Sequence, residues 1–89
     1  MKIIDGFKLR DVMGQPTVVG EGIEQVDFTY LITLNPSAAY LWRQVEGREF
    51  TVDQLAQLLV DHYAIHPDTA HTDAIDLINE WINHKLVRP

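Results

Sequence analysis

The chain has 89 residues and carries seven lysine or arginine residues against thirteen aspartate or glutamate residues, a net charge of −6. This length predicts one domain over residues 1–89, whose folding removes about 60–65% of the unfolded surface from water. The absence of cysteine excludes disulfides, thiolate zinc sites and a cysteine nucleophile. No apolar run reaches membrane-spanning length, and the N-terminal segment is too short and too charged for a secretory signal, so we expect a soluble, cytoplasmic protein.

Two short strands are predicted at the start of the chain. Residues 7–12 include an alternation of apolar and polar side chains, and residues 17–19 are Thr-Val-Val, a composition that favours strands. The four residues between them, 13–16, contain the glycine and the proline of a turn. We therefore expect a hairpin, followed by a polar, glycine-containing loop over residues 20–25.

The stretch from Asp27 to Trp42 organises the rest of the sequence, because a strand passes directly into a helix there. One face of the predicted strand carries Phe28, Tyr30, Ile32 and Leu34, and the other carries Thr29, Leu31 and Thr33. This period-two alternation predicts a half-buried strand. Asn35 supplies an N-cap oxygen, and Pro36 suits the first helical position. Apolar residues at helical spacing reach Val45, and Gly47 marks the end of this first helix.

Two further helices follow. Thr51 and Gln54 have the spacing of a capping box, so the second helix is predicted over residues 52–63. The third helix is predicted from Pro67 to about Lys85, with this lysine in the last turn, where the helix dipole favours a positive charge. Its apolar residues cover about half of the helix circumference, which is wider than one packing surface needs. One edge of that surface is therefore expected to face something besides the core.

These elements predict an α+β fold, in which a three-stranded antiparallel sheet is followed by three helices that cover one of its faces. Several segments also form a recognisable pattern: Phe7-Lys8-Leu9-Arg10, the box Leu34-Asn35-Pro36-Ser37-Ala38-Ala39-Tyr40-Leu41-Trp42, Glu46-Gly47 before Phe50-Thr51, and the closing Leu86-Val87. This pattern resembles the coenzyme PQQ synthesis protein D (PqqD-like) family over nearly the whole chain. The sequence departs from the family pattern at Lys85, where glycine is usual, and at Val45-Glu46, where Leu-Asp is common.

The resemblance implies a winged-helix-like fold and a role as a recognition element for ribosomally made, post-translationally modified peptides. Such proteins are similar to chaperones that hold the leader of a precursor peptide and deliver it to a modifying enzyme, a radical S-adenosylmethionine (SAM) enzyme in the namesake pyrroloquinoline quinone pathway. The leader binds as an added strand beside the third strand, with side chains in a groove next to the last helix. The implied peptide-binding positions are Phe28, Thr29, Tyr30, Leu31, Ile32 and Thr33 of the strand and Ala74, Leu77, Ile78 and Trp81 of the helix.

The residues give this role a physical basis, because an edge strand offers unpaired backbone groups and the last helix has spare apolar surface. Packing in a small core explains the same patterns. Trp81 suits either a core margin or a peptide pocket, whereas Trp42, inside the family box, is expected in the core. Arg10 and Arg43 could meet acidic residues of a leader or simply lie in solvent.

Metal binding and catalysis find little support in the sequence. His62 and His66 are four residues apart, but a proline directly after His66 interrupts the helix that joint ligation would need. Asp73 and Asp76 are three residues apart on the polar flank of a helix, where no catalytic pocket is expected. We therefore expect no enzyme activity, no metal ion and no cofactor.

A winged-helix DNA-binding or transcription-associated module is the alternative function, suggested by fold analogy alone. Charge argues against it, because the last helix exposes Asp73, Asp76 and Glu80 where DNA recognition needs basic and amide side chains. The expected partners are a precursor peptide and a modifying enzyme, with neither nucleic acid nor a membrane. The exposed strand edge would also allow two copies to pair, so a homodimer stays open.

Overall fold

The computed structural model describes residues 1–20 and 31–88. The strands are β1 (Lys2–Ile3), β2 (Phe7–Val12), β3 (Gln15–Gly20), β4 (Leu31–Thr33) and β5 (Val87–Arg88), and the helices are α1 (Pro36–Val45), α2 (Val52–Tyr63) and α3 (Pro67–Asn83). An antiparallel sheet has the strand order β2-β3-β4, and β1 pairs separately with β5. The predicted α+β fold, with three antiparallel strands followed by three helices, is confirmed. None of the helices in the described ranges is both long enough and apolar enough to cross a membrane.

The β2–β3 hairpin turns more tightly than the sequence pattern predicts. Val12 pairs with Gln15, so Met13 and Gly14 alone form the turn, and the predicted four-residue connection is wrong. Both turn residues have positive φ angles, 54° and 82°. Such a turn has a twist that matches the right-handed twist of the flanking strands.

The sequence pattern assigns Pro16 to the turn, because a proline has no N–H and is rare in a central strand. The predicted second strand is therefore shorter than β3. In the structure Pro16 lies inside β3, opposite Asp11 of β2. On its other side, the Pro16 carbonyl accepts a 2.9 Å hydrogen bond from the Leu34 N–H. Since β4 already ends at Thr33, the missing N–H falls at the end of the ladder and interrupts nothing.

A two-stranded sheet formed by β1 and β5 is absent from the prediction. Ile3 pairs with Val87, and both side chains are buried. The Ile4 N–H donates a 2.8 Å hydrogen bond to the Leu86 carbonyl beside this pair. Strands of two residues are too short to show a periodic pattern, so sequence reasoning has no means to find them.

The predicted start of α2 is confirmed. The Thr51 hydroxyl accepts a 3.1 Å hydrogen bond from the Gln54 N–H, and the Gln54 side-chain oxygen accepts one of 2.9 Å from the Thr51 N–H. This reciprocal pair satisfies two N–H groups that would otherwise lack partners at the start of the helix. Gly47, predicted to follow α1, has a φ of 80°, the left-handed conformation that commonly ends a helix.

The end of α3 differs from the prediction, because the helix stops at Asn83 and Lys85 lies beyond its last turn. The Lys85 N–H donates to the Ile82 carbonyl at 2.9 Å, and the Leu86 N–H donates to the Trp81 carbonyl at 2.8 Å. This pairing is a Schellman motif, which requires a left-handed residue at the position of Lys85. The φ of Lys85 is indeed 59°. Glycine adopts this conformation without strain, whereas lysine does not.

Three aromatic side chains form the centre of the core. Trp42 on α1 packs edge-on against Trp81 on α3, with ring centroids 5.3 Å apart, and Phe50 packs edge-on against Trp81 at 6.4 Å. All three are buried, which confirms the prediction for Trp42 and places Trp81 in the core. Val18 of β3 and Leu55 of α2 are fully buried in the same cluster. The core thus joins the helices to one face of the sheet.

Lys85→Gly is expected to raise the free energy of unfolding by about 0.5–1 kcal/mol. A left-handed conformation costs a residue with a Cβ atom about 1–2 kcal/mol. Glycine avoids this cost and adds only about 0.4–1 kcal/mol of conformational entropy to the unfolded chain. Urea unfolding followed by circular dichroism measures the difference.

Lys85→Ala is the matched control, because it removes the same charged side chain but keeps the Cβ atom. Its free energy of unfolding should stay within about 0.5 kcal/mol of that of the parent chain. If Lys85→Gly were no more stable than Lys85→Ala, backbone strain at this position would be disproved.

Candidate functional site

β4 lies at an edge of the three-stranded sheet, and the register of its pairing decides where its backbone groups point. Thr33 pairs with Thr17, and the Leu34 N–H donates to the Pro16 carbonyl. Because the groups of an antiparallel strand alternate in direction, the N–H and C=O of Leu31 and Thr33 point away from β3. Within residues 1–20 and 31–88, no other strand pairs with this edge.

The side chains of β4 alternate as predicted over the part of the strand that the structure describes. Leu31 is 61% exposed and Thr33 is exposed, whereas Ile32 is half-buried and Leu34 is buried. The remaining predicted strand positions, Phe28, Thr29 and Tyr30, lie outside the described residues. β4 therefore presents one large apolar side chain to solvent, directly beside backbone groups with which no other described strand pairs.

A cleft of about 360 Å³, which we call the strand cleft, lies between β4 and α3. Its lining comes from Ile32, Thr33 and Leu34 on the strand side, Asn35 and Ala38 at the start of α1, and Leu77, Glu80, Trp81, Asn83 and His84 on the α3 side. The cleft lies between the strand and the last helix, where the family resemblance implies a peptide groove. An extended chain along the edge of β4 would run beside it.

The four helix positions predicted to bind peptide differ in what they can contact. Ala74 and Ile78 are buried in the core and do not line the strand cleft. Trp81 lines the cleft with a side chain that is only 1% exposed, so it forms part of the wall. Leu77 is half-buried and also lines the cleft. It is therefore the predicted helix side chain best placed to touch a ligand.

Four polar residues of the strand cleft are missing from the predicted site: Asn35, Glu80, Asn83 and His84. Glu80 and His84 line the cleft, and both are exposed. They follow Leu77 by three and seven residues, and residues at these intervals share one face of a helix. The prediction missed Glu80 and His84 because it considered only the apolar residues of the helix. Helical spacing from Leu77 identifies both once polar residues are included.

Asn35 fixes the junction between β4 and α1. Its side-chain oxygen accepts a 2.8 Å hydrogen bond from the Ala38 N–H and a 2.9 Å hydrogen bond from the Ser37 hydroxyl. Pro36 is the first residue of the helix, as predicted. Because the cap follows the strand so closely, it sets the direction in which the chain leaves the edge of β4.

The two histidines with the spacing of metal ligands have structural partners instead. His62 stacks on Tyr40 with ring centroids 3.9 Å apart, and the His66 Nδ1 accepts a 3.1 Å hydrogen bond from the Asp68 N–H. Across the described parts of the chain, no three histidine, aspartate or glutamate side chains lie close enough together to hold a metal ion. The groups gathered at the strand cleft are instead suited to backbone pairing and apolar contact.

Asn35→Ala is expected to lower the free energy of unfolding by about 1 kcal/mol, because the Ala38 N–H loses its acceptor. Asn35→Asp keeps an oxygen at the same position and should match the parent chain within about 0.5 kcal/mol. Thermal unfolding of the three proteins compares them directly. Equal losses in both variants would show that the cap oxygen does not stabilise this junction.

Comparison with known proteins gives a family match over most of the chain. The family model described as coenzyme PQQ synthesis protein D (PqqD) matches residues 26–87. No curated protein and no solved structure shows significant similarity to the chain. The matched family is one of non-catalytic accessory proteins, and the match supports a role as a partner or recognition protein in PQQ-type peptide modification.

Proposed function

The chain belongs to the family of coenzyme PQQ synthesis protein D, and we propose on this premise that it carries a ribosomally made precursor peptide to a modifying enzyme. The leader of the peptide adds as a strand to the edge of β4 and places side chains in the strand cleft. By analogy with the namesake pathway, the modifying enzyme is of the radical SAM type. The carrier itself performs no chemistry on the peptide.

The edge of β4, with which no other strand of residues 1–20 and 31–88 pairs, is the observation that best supports strand addition. The N–H and C=O groups of Leu31 and Thr33 point away from β3, so an extended peptide can exchange hydrogen bonds with them without any change in the fold. Each such bond contributes about 1 kcal/mol after the loss of bonds to water. This contribution is the same for any peptide that can extend.

Side chains of the bound leader would alternate between two surroundings. Those on the helix side of the sheet would enter the strand cleft and contact Ile32 and Leu77. Those on the opposite side would lie beside Leu31 and Thr33. Burying one side chain of the size of leucine in the cleft contributes about 1.5–3 kcal/mol. We therefore expect apolar residues at alternate positions of the leader.

The described part of the edge is short, and its length limits the affinity. Leu31 and Thr33 together offer two N–H and two C=O groups, so backbone pairing there contributes about 4 kcal/mol at most. Association costs an estimated 4–15 kcal/mol in lost freedom of motion. One apolar side chain in the strand cleft makes up only a small part of the difference between this cost and the contribution of backbone pairing. Tight binding therefore needs contacts beyond this edge.

A leader peptide can be captured from native cells with this protein as bait and then synthesised. We expect it to change the NMR chemical shifts of the backbone amides of residues 31–34, Leu77 and Trp81. The reason is that strand addition changes hydrogen bonding along β4 and places side chains against α3. An NMR amide-shift titration measures this. Shifts confined to the β2–β3 hairpin would contradict the placement.

Thr33→Pro tests whether backbone pairing contributes to this binding. Proline removes one outward N–H and leaves the pairing of β4 with β3 intact, so leader affinity is expected to fall about threefold to tenfold. Asp11→Pro is the matched control, because by the same alternation Asp11 points its N–H away from β3 at the opposite edge of the sheet. Equal affinities of the two variants in calorimetry would argue against strand addition.

DNA binding would require a positively charged surface. α3 exposes Asp73, Asp76 and Glu80, and the chain has a net charge of −6. Duplex DNA is bound chiefly by neutralising its phosphates with lysine and arginine. In a gel-shift experiment at low salt we therefore expect no retarded complex. A retarded complex that weakens as salt rises would favour the DNA-binding alternative over the peptide carrier.

A further inference from the structure

A second cleft, of about 450 Å³, lies among the start of α1, the end of α2 and α3. We call it the acidic cleft. Its apolar lining consists of Leu41, Leu59, Tyr63, Ile65 and Leu77. Its acidic lining consists of Asp73, Asp76 and Glu80. The cleft thus combines apolar surface with three carboxylates that the proposed function has not used.

The three carboxylates lie on one face of α3 without positive charge among them. Asp73, Asp76 and Glu80 are spaced by three and four residues, so they follow one another along a single helix face. All seven lysine and arginine residues of the chain lie in the part that the structure describes, and none of them lines the acidic cleft. None of the three carboxylates forms an ion pair within that part. Their negative charge is left for a partner to neutralise.

The shape of the acidic cleft favours a long cationic side chain over a metal ion. The three carboxylates are not close enough together to form a metal-binding group. Lysine and arginine instead lay an apolar stem along apolar surface and extend their charged end toward carboxylates. Leu77 is half-buried and Tyr63 is 40% exposed, so both can contact such a stem. The ring of Tyr63 also attracts a cation over its face.

The acidic cleft is continuous with the strand cleft. Asn35, Leu77 and Glu80 line both clefts, so the two share a boundary at the end of β4. A peptide that pairs with β4 would cross this boundary as it leaves the strand edge near Asn35. The peptide segment flanking the added strand would therefore be the first part of any partner to reach the three carboxylates.

We infer that the acidic cleft receives a lysine or arginine side chain of the bound precursor peptide, next to an apolar residue in the segment that flanks the added strand. This inference rests on the proposed function and specifies the chemistry of the peptide. It also supplies contacts beyond the short edge of β4. A docking site for the modifying enzyme is the competing use of the same surface.

Selection from a phage-displayed library of random dodecapeptides tests the inference without requiring the sequence of the natural leader. The bait proteins are the parent chain and a cleft variant that combines Asp73→Asn, Asp76→Asn and Glu80→Gln. A control variant combines Asp5→Asn, Asp11→Asn and Glu46→Gln, which removes the same charge from exposed positions outside both clefts. Circular dichroism and thermal unfolding first establish that all three proteins are folded.

The parent and the control variant are expected to enrich peptides that carry lysine or arginine beside an apolar residue, and the cleft variant is expected to lose this preference. A synthetic peptide from the parent selection should bind the cleft variant about fivefold to tenfold more weakly at low salt. The difference should shrink as salt screens the charges.

Each contrary outcome has a distinct meaning. If the parent and the cleft variant select peptides of the same composition, this inference alone is overturned. Docking of the modifying enzyme is then the remaining use of the acidic cleft. If the control variant also loses the preference for lysine and arginine, the inference is overturned, because the net charge of the protein rather than the acidic cleft then causes the preference. No enrichment of any peptide on the parent would overturn the proposed peptide binding and the inference together.

Discussion

The contact between the indole rings of Trp42 and Trp81 positions the helix beside the proposed binding surface. Trp42 lies on α1, which begins just after β4, and Trp81 lies on α3, so their packing at 5.3 Å holds α3 beside the strand edge. Both indole N–H groups are buried and have no acceptor among the described residues. Each leaves a cost of about 1–3 kcal/mol. The large apolar area that the two rings bury offsets this cost, and Trp81 forms part of the wall of the strand cleft.

One side of α3 packs in the core, and the side with Leu77 faces the two clefts of the proposed peptide site. Ala74 and Ile78 face the core, Asp76 and Glu80 face solvent, and Leu77 lies at the boundary between the two. Buried positions hold the helix in place and cannot meet a ligand without unfolding it. Exposed charges alone offer no apolar surface to bind. The boundary position therefore joins the two clefts, because Leu77 lines both and keeps apolar surface accessible next to polar groups.

Local signals predict most of this architecture, and tertiary contacts decide the rest. The capping box at Thr51 and the cap at Asn35 depend on residues close in sequence, so their spacing is sufficient evidence. The pairing of β1 with β5 depends on neighbours far apart in sequence. A helical wheel likewise gives the direction of a side chain and not its neighbour. For that reason the sequence pattern places Ala74 and Leu77 together in one groove, although Ala74 is buried in the core.

A carrier that performs no chemistry must recognise its peptide and then release it. In the proposed function, backbone pairing along Leu31 and Thr33 would accept any extended sequence, so it would supply affinity without selectivity. Selectivity would then have to come from side-chain contacts, and Leu77 lines both clefts proposed to make them. Because each such contact would be individually weak, the proposed complex would dissociate quickly, which suits the transfer of a leader to an enzyme. A deep, fully enclosed pocket would bind more tightly but would slow this transfer, so two shallow clefts beside a short strand edge suit the task better.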